Sequence, residues 1–157
     1  MSTPLGILAE RIRSELWELN QVLARLYEAW QRASRSGDEL YLDSVALNLH
    51  GFYSGIERIF EQLAERIDGN LPNGENWHQA LLVQMTKGIV GIRPAVISQD
   101  TSQRLNEYRG FRHVVRNVYT FHFEAVKMEK LVVGSPYVFE QVQAELLAFA
   151  RFLDAQI

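Results

Sequence analysis

Apolar residues recur at steps of three and four along most of this chain, and that step is the first thing it shows. Leu5, Leu8, Ile12, Leu16, Leu19, Leu23, Leu26 and Trp30 form one such series, the spacing of a helix with a single buried stripe. Thr3 can cap its start and Pro4 suits the first helical position, where a missing N–H costs nothing. Ser36-Gly37-Asp38 ends it, which predicts a helix over Pro4–Arg35. Leu42, Val45, Leu49, Phe52, Ile56, Ile59, Leu63 and Ile67 form a second series and predict a helix over Glu39–Ile67. Two long helices joined by so short a turn make an antiparallel hairpin, the seed of a bundle.

Beyond the hairpin the pattern is more broken. Asp68–Asn76, DGNLPNGEN, is rich in turn residues. A shorter helix carries Trp77, Leu81, Leu82 and Met85, and Gly88–Pro94 is again irregular. Asp100 or Thr101 can cap a helix over Thr101–Tyr119. The segment Phe121–Val133 gives a weaker signal, after which Ser135-Pro136 opens a last helix, Pro136–Gln156, with Val138, Val142, Leu146, Phe149 and Leu153 on one face. No strand-like alternation, internal repeat or low-complexity tract interrupts this. The expected fold is all-α: a single domain, residues 1–157, forming an antiparallel bundle of four main helices plus a short one. Gly51 and Gly55, one turn apart, suggest close approach of a neighbouring helix. Trp17 and Trp30 fit a core or a dimer seam.

Composition narrows the function by exclusion. Sixteen Lys plus Arg against nineteen Asp plus Glu give a formal charge of −3 over 157 residues, so any anion site must be local. With no cysteine, disulfides, thiolate chemistry and cysteine-held metals are excluded. The four histidines, His50, His78, His113 and His122, show no His-x3-His or Glu-x-x-His spacing, so no metal is expected, and no cofactor. His50, within a turn of Leu49 and Phe52, reads as a satisfied helix residue. There is no Gly-x-Ser-x-Gly elbow and no phosphate-binding glycine loop. The N-terminus lacks the pattern of a signal peptide, and no run approaches the ~20 apolar residues needed to span a bilayer. These features predict a soluble, cytoplasmic protein.

One segment carries candidate chemistry: YRGFRHVVRNVYTFHF, Tyr108–Phe123. Arg109, Arg112 and Arg116 are spaced i, i+3, i+7, with Tyr119 three further on, and at 100° per residue all four fall within roughly 80° of one another. Phe111, Val114, Val115 and Val118 are expected to anchor the helix from the opposite side. A guanidinium cluster beside imidazole and phenol suits phosphate recognition. Metal-free cleavage of RNA needs a general base for the 2′-hydroxyl, a general acid for the 5′-oxygen and cations for the phosphorane charge. Arginine and histidine can divide those roles.

This stretch resembles the HEPN superfamily and, within it, the HepT-like ribonuclease toxins, whose signature is Arg, four to six residues, then His, often followed by x-Tyr. The long first hairpin, LPNGENWHQALLVQM, RPAVIS, and FRHVVRNVY followed by a final helix extend the resemblance over essentially the whole chain. One departure concerns the motif itself. From Arg112, four residues lead to Asn117 in the histidine position, with Tyr119 in the x-Tyr place. Arg116 to His122 satisfies the wider spacing, and His113 is a third candidate for the imidazole. Asn117 can hydrogen-bond a phosphate but exchanges no proton at neutral pH. The resemblance implies a metal-independent endoribonuclease acting as a homodimer with the arginine segments in a shared cleft. It also implies a nucleotidyltransferase-type antitoxin as partner, which neutralises by binding and in some cases by attaching AMP to the motif tyrosine, whose position Tyr119 matches. The alternative is a catalytically degenerate HEPN module that binds RNA or a partner protein through the same arginines.

Overall fold

The computed structural model describes residues 3–119 and 123–156. They form an all-helical bundle: α1 Pro4–Ser36, α2 Leu40–Leu63, α3 Trp77–Met85, α4 Gln99–Asn117 and α5 Ala125–Asp154. Among the described residues the only β pairing is a single bridge between Ile89 and Arg93. Thr3 caps α1 by accepting from the Gly6 amide at 2.9 Å, and Pro4 occupies the first turn. Gly37, in the left-handed region at φ 68°, closes it by donating to the Ala33 carbonyl. That conformation is cheap only for glycine. α2 then runs on through a π-helical turn, Ala64–Asp68, before Gly69 stops it at φ 65°.

α2 lies at the centre, packing against α1, α4 and α5, while α1 also packs along α5 and the short α3 bridges α2 and α4. The apolar stripes meet where the sequence places them: Leu8, Ile12, Leu16, Leu19 and Leu26 of α1, Val45, Leu49, Phe52, Ile56, Ile59 and Leu63 of α2, and Val138, Val142, Leu146, Phe149 and Leu153 of α5 are all buried. Of the two glycines expected to permit close approach, Gly55 does so, since an added Cβ would lie 2.6 Å from Leu19 Cδ2, whereas Gly51 faces open space. Trp30 packs against the core, but Trp17 is 62% exposed and belongs to no core.

Two helix starts differ from expectation. α4 begins earlier, because Ser98 is its cap: the Ser98 hydroxyl accepts from the Thr101 amide at 3.1 Å, and Glu145 of α5 binds the Ser98 amide and the Thr101 hydroxyl. α5 does not open at Pro136 but runs continuously through it from Ala125. Proline removes the N–H that would bond the carbonyl four residues back. Here that carbonyl, on Val132, accepts instead from the Ser135 hydroxyl at 2.7 Å. The neighbouring side chain supplies the donor that the backbone lacks.

The chain on either side of α3 is fastened by one buried ion pair. Arg93 and Asp68, with side chains 0% and 1% exposed, meet in a two-pronged contact of 2.6 and 2.8 Å. The remaining guanidinium N–H groups reach the carbonyls of Lys87, Pro94 and Gln84, so all five donors of the fork have acceptors. Gln84, on α3 itself, donates to Asp68 and to the Asn70 carbonyl. This clasp fixes where α3 lies against α2 and α4.

Candidate active site

The packed face of α4 begins with Thr101, Leu105 and Tyr108, all buried. Tyr108 is fixed by an edge contact with Phe52 and by donating its hydroxyl to the Leu131 carbonyl at 2.6 Å. Continuing the same four-and-three step along the helix gives Arg112 and then Val115. Arg112 thus lies on the side that packs on α2, not opposite it. Phe111 and Val115 pack against the core as expected, while Val114 and Val118 point outward. The expectation that the arginines project from the far side of the helix is corrected: the cationic stripe is a continuation of the buried one.

α2 meets it with a stripe of the same period, His50, Ser54, Glu57 and Glu61. Arg112 Nε donates to Ser54 Oγ at 3.1 Å. Glu57, one turn further on, is buried at 3% exposure. At His50, burial first, then the nearby charges of Arg112 and Arg116, hold the pKa below the ordinary imidazole value. Burial and the neighbouring Glu57 push the Glu61 carboxyl up. Burial and Glu57 likewise raise the phenol of Tyr53, whose buried hydroxyl has no hydrogen-bond partner among the described residues.

α3 completes the group. His78 Nδ1 lies 2.7 Å from Glu57 Oε2, and its Nε2 lies 3.5 Å from Arg112 Nη1. The Trp77 ring stacks on the imidazole with centroids 3.6 Å apart and planes inclined by 31°. A carboxylate only accepts and a guanidinium only donates. These partners assign the proton to Nδ1 and leave the Nε2 lone pair facing Arg112 and the open side of the site.

That side is a cleft of about 740 Å³ lined by residues 75–79 and by Arg109, Arg112, His113, Arg116 and Asn117. Among the described residues none of the three arginines forms a carboxylate pair. Arg109 donates to Asn106 at 2.7 Å, and Arg116 is exposed. The Asn117 amide turns back on its own helix, donating to the His113 carbonyl at 2.8 Å and lying 3.3 Å from His113 Nδ1. Tyr119, 76% exposed, lies just past the end of α4. His122 lies outside the described residues. No group of metal-ligating side chains occurs among the described residues, nor is any helix long and apolar enough to cross a membrane.

The structure therefore joins five of the sequence candidates, Arg109, Arg112, His113, Arg116 and Asn117, and adds three residues that spacing along the chain did not reveal: Ser54, Glu57 and His78. A family model described as "HepT-like protein" matches residues 44–153, from α2 through almost all of α5, and so includes every residue of this cleft. Neither a curated protein nor a solved structure matches the chain. With an all-helical bundle, the arginine segment and a family match over more than half its length, the chain belongs to the HepT-like family of the HEPN superfamily.

Proposed function

We propose that this HepT-like protein is a metal-independent endoribonuclease, the toxin of a toxin–antitoxin pair acting in the cytoplasm. The observation that carries the reading is the cleft in which Arg109, Arg112 and Arg116 converge without a carboxylate partner among the described residues. Unpaired guanidinium groups at a concave surface favour a phosphate diester, which they can hold through paired N–H···O contacts. They also meet the need of the reaction for cations at the phosphorane. Two protomers with their α4 segments facing one another would form the shared cleft of a homodimer. Tyr119, exposed at the helix end, is accessible to a nucleotidyltransferase-type antitoxin that attaches AMP to its hydroxyl.

The test is incubation of the purified protein with total RNA in EDTA, followed by analysis of the new ends. Attack by the 2′-oxygen leaves a 2′,3′-cyclic phosphate and a 5′-hydroxyl. Arg116→Ala, which removes an exposed cation, should lower cleavage by about 10²–10³ and leave the thermal unfolding midpoint in place. Cleavage that needs a divalent metal, or that Arg116→Ala leaves intact, refutes the proposal. A second reading, a HEPN module that binds RNA or a partner protein without cutting, is favoured by one observation. The residue in the motif histidine position, Asn117, is bonded to its own helix and offers no exchangeable proton at neutral pH.

A further inference from the structure

We infer that His78, oriented by Glu57, is the proton-transfer residue of this cleft and takes the place of the imidazole that position 117 lacks. The inference rests on the ribonuclease reading and adds a residue from another helix to it. Three observations converge on His78. Its Nδ1 is held by a carboxylate at 2.7 Å, its ring is clamped by Trp77, and its Nε2 is 3.5 Å from the central arginine. The other described imidazoles lack this support. His113 is exposed and its ring contact is to the Asn117 amide, and no carboxylate hydrogen-bonds His50 among the described residues.

Glu57 is the more telling half. A carboxylate at 3% exposure is costly to bury and is tolerated when a specific partner holds it. Its hydrogen bond goes to the one ring nitrogen that must carry a proton if the other is to be a base. In the step this geometry supports, His78 Nε2 takes the proton of the ribose 2′-hydroxyl. The 2′-oxygen bonds to phosphorus, the bond from phosphorus to the 5′-oxygen breaks, and that oxygen takes a proton from water in the open cleft. The hydroxide so formed is neutralised by the proton on His78, which regenerates the base. Arg112, beside Nε2, faces the phosphorane oxygens. Glu57 touches no reacting atom and is a positioning residue.

The experiment measures single-turnover cleavage of RNA in EDTA across a pH series, with RNA affinity measured separately, for wild type, His78→Gln and Glu57→Gln. The titratable and charged groups around His78 are Glu57 and Glu61 on α2, Arg109, Arg112 and Arg116 on α4, and Glu75 just ahead of α3. His78→Gln should lower the rate by about 10²–10⁴, abolish the acidic limb of the profile and change affinity no more than a few-fold. Glu57→Gln keeps an acceptor near Nδ1 but removes the charge that favours imidazolium, so the acidic limb should move to lower pH. A merely structural glutamate would change the amount of active protein and leave that midpoint unmoved. If wild type cleaves no RNA, the ribonuclease reading falls and this inference with it. If wild type cleaves and His78→Gln cleaves within about three-fold of it, short of the ~10² expected of an acid–base group, the reading stands and the inference is overturned. Should His78→Gln fail to fold, the Glu57→Gln midpoint decides, and an unmoved one overturns the inference.

Discussion

Replacing Asp68 with asparagine tests whether the clasp around α3 holds the site together. The change preserves shape and removes a charge from a pair whose side chains are 0% and 1% exposed. It also sets an amide N–H₂ against a guanidinium fork that has no acceptor to offer and against Gln84, whose amide already donates to the Asp68 carboxylate. Breaking a buried pair from one side leaves an uncompensated charge and costs about 3–5 kcal/mol, a large share of the ~5–15 kcal/mol that holds a domain together. Urea unfolding should show that loss as a lower midpoint. Cleavage should fall as well, because the clasp fixes α3, and with it His78, against α2 and α4.

The pH dependence has a definite sign. Burial opposes ionisation of Asp68, but the hydrogen bonds from Arg93 and Gln84 and the Arg93 charge outweigh it and hold the carboxyl below its ordinary value. A depressed folded value stabilises the protein above the unfolded value, near 3.9, and that contribution is lost as pH falls through the folded one. The gap between wild type and Asp68→Asn should therefore narrow below about pH 4. Replacing both partners, as Asp68→Leu with Arg93→Met, should not restore stability. Arg93 also serves the carbonyls of Lys87, Pro94 and Gln84, and each left buried without a donor costs about 1–3 kcal/mol. A loss below about 1 kcal/mol in Asp68→Asn would refute the clasp, since leaving one charge of so buried a pair uncompensated costs several times that.

The two α2 glycines should respond in opposite ways. Gly55→Val forces a side chain onto the buried Leu19, 2.6 Å away, and should lower stability by about 1–3 kcal/mol; Gly51→Ala meets nothing within 4 Å and should raise it by about 0.5–1 kcal/mol, both read by urea unfolding. The His50 imidazole should titrate below its ordinary value in an NMR pH series, from burial and then from Arg112 and Arg116. Being kept neutral, it contributes fully to stability above its unfolded value near 6.5 and less below it. Arg116→Ala and added inorganic phosphate should each raise its midpoint, and an unmoved midpoint in Arg116→Ala would refute the charge coupling.

What the sequence could reveal followed from how local each cause is. α1 and α2 were legible because an amphipathic stripe repeats through every turn, and the ends of α1 because Thr3 and Gly37 act on their own backbone. Pro136 was misleading for an equally local reason that composition conceals: the Ser135 hydroxyl takes over the Val132 carbonyl, so a helix-breaking residue sits inside a 30-residue helix. Gly51 and Gly55 look alike in sequence and differ only in what faces them. The match of Glu57 to His78 crosses 21 positions and a turn-rich loop, and no spacing rule along the chain encodes such a pair. Once α2 and α3 are in place, the pair is unambiguous.

The arginine segment was found, but its direction was misjudged, and the reason bears on how such sites are recognised. Anchoring α4 on its valines put Arg112 outside; anchoring it on Tyr108 and Leu105, one and two steps earlier in the same stripe, puts it inside. A charged residue at the next core position of an otherwise apolar stripe signals either instability or a partner built to receive it. α2 supplies that partner at the same period, where Ser54 and Glu57 form a polar stripe on the side of the helix away from Phe52, Ile56 and Ile59. Two helices that each place polar groups on their shared seam, at the same height, give up apolar burial together. A bundle gains nothing in stability from that exchange, since well-packed apolar residues would serve it as well or better. Packing alone therefore does not account for the polar groups of the seam, which opens onto a cleft that all three arginines of the segment line.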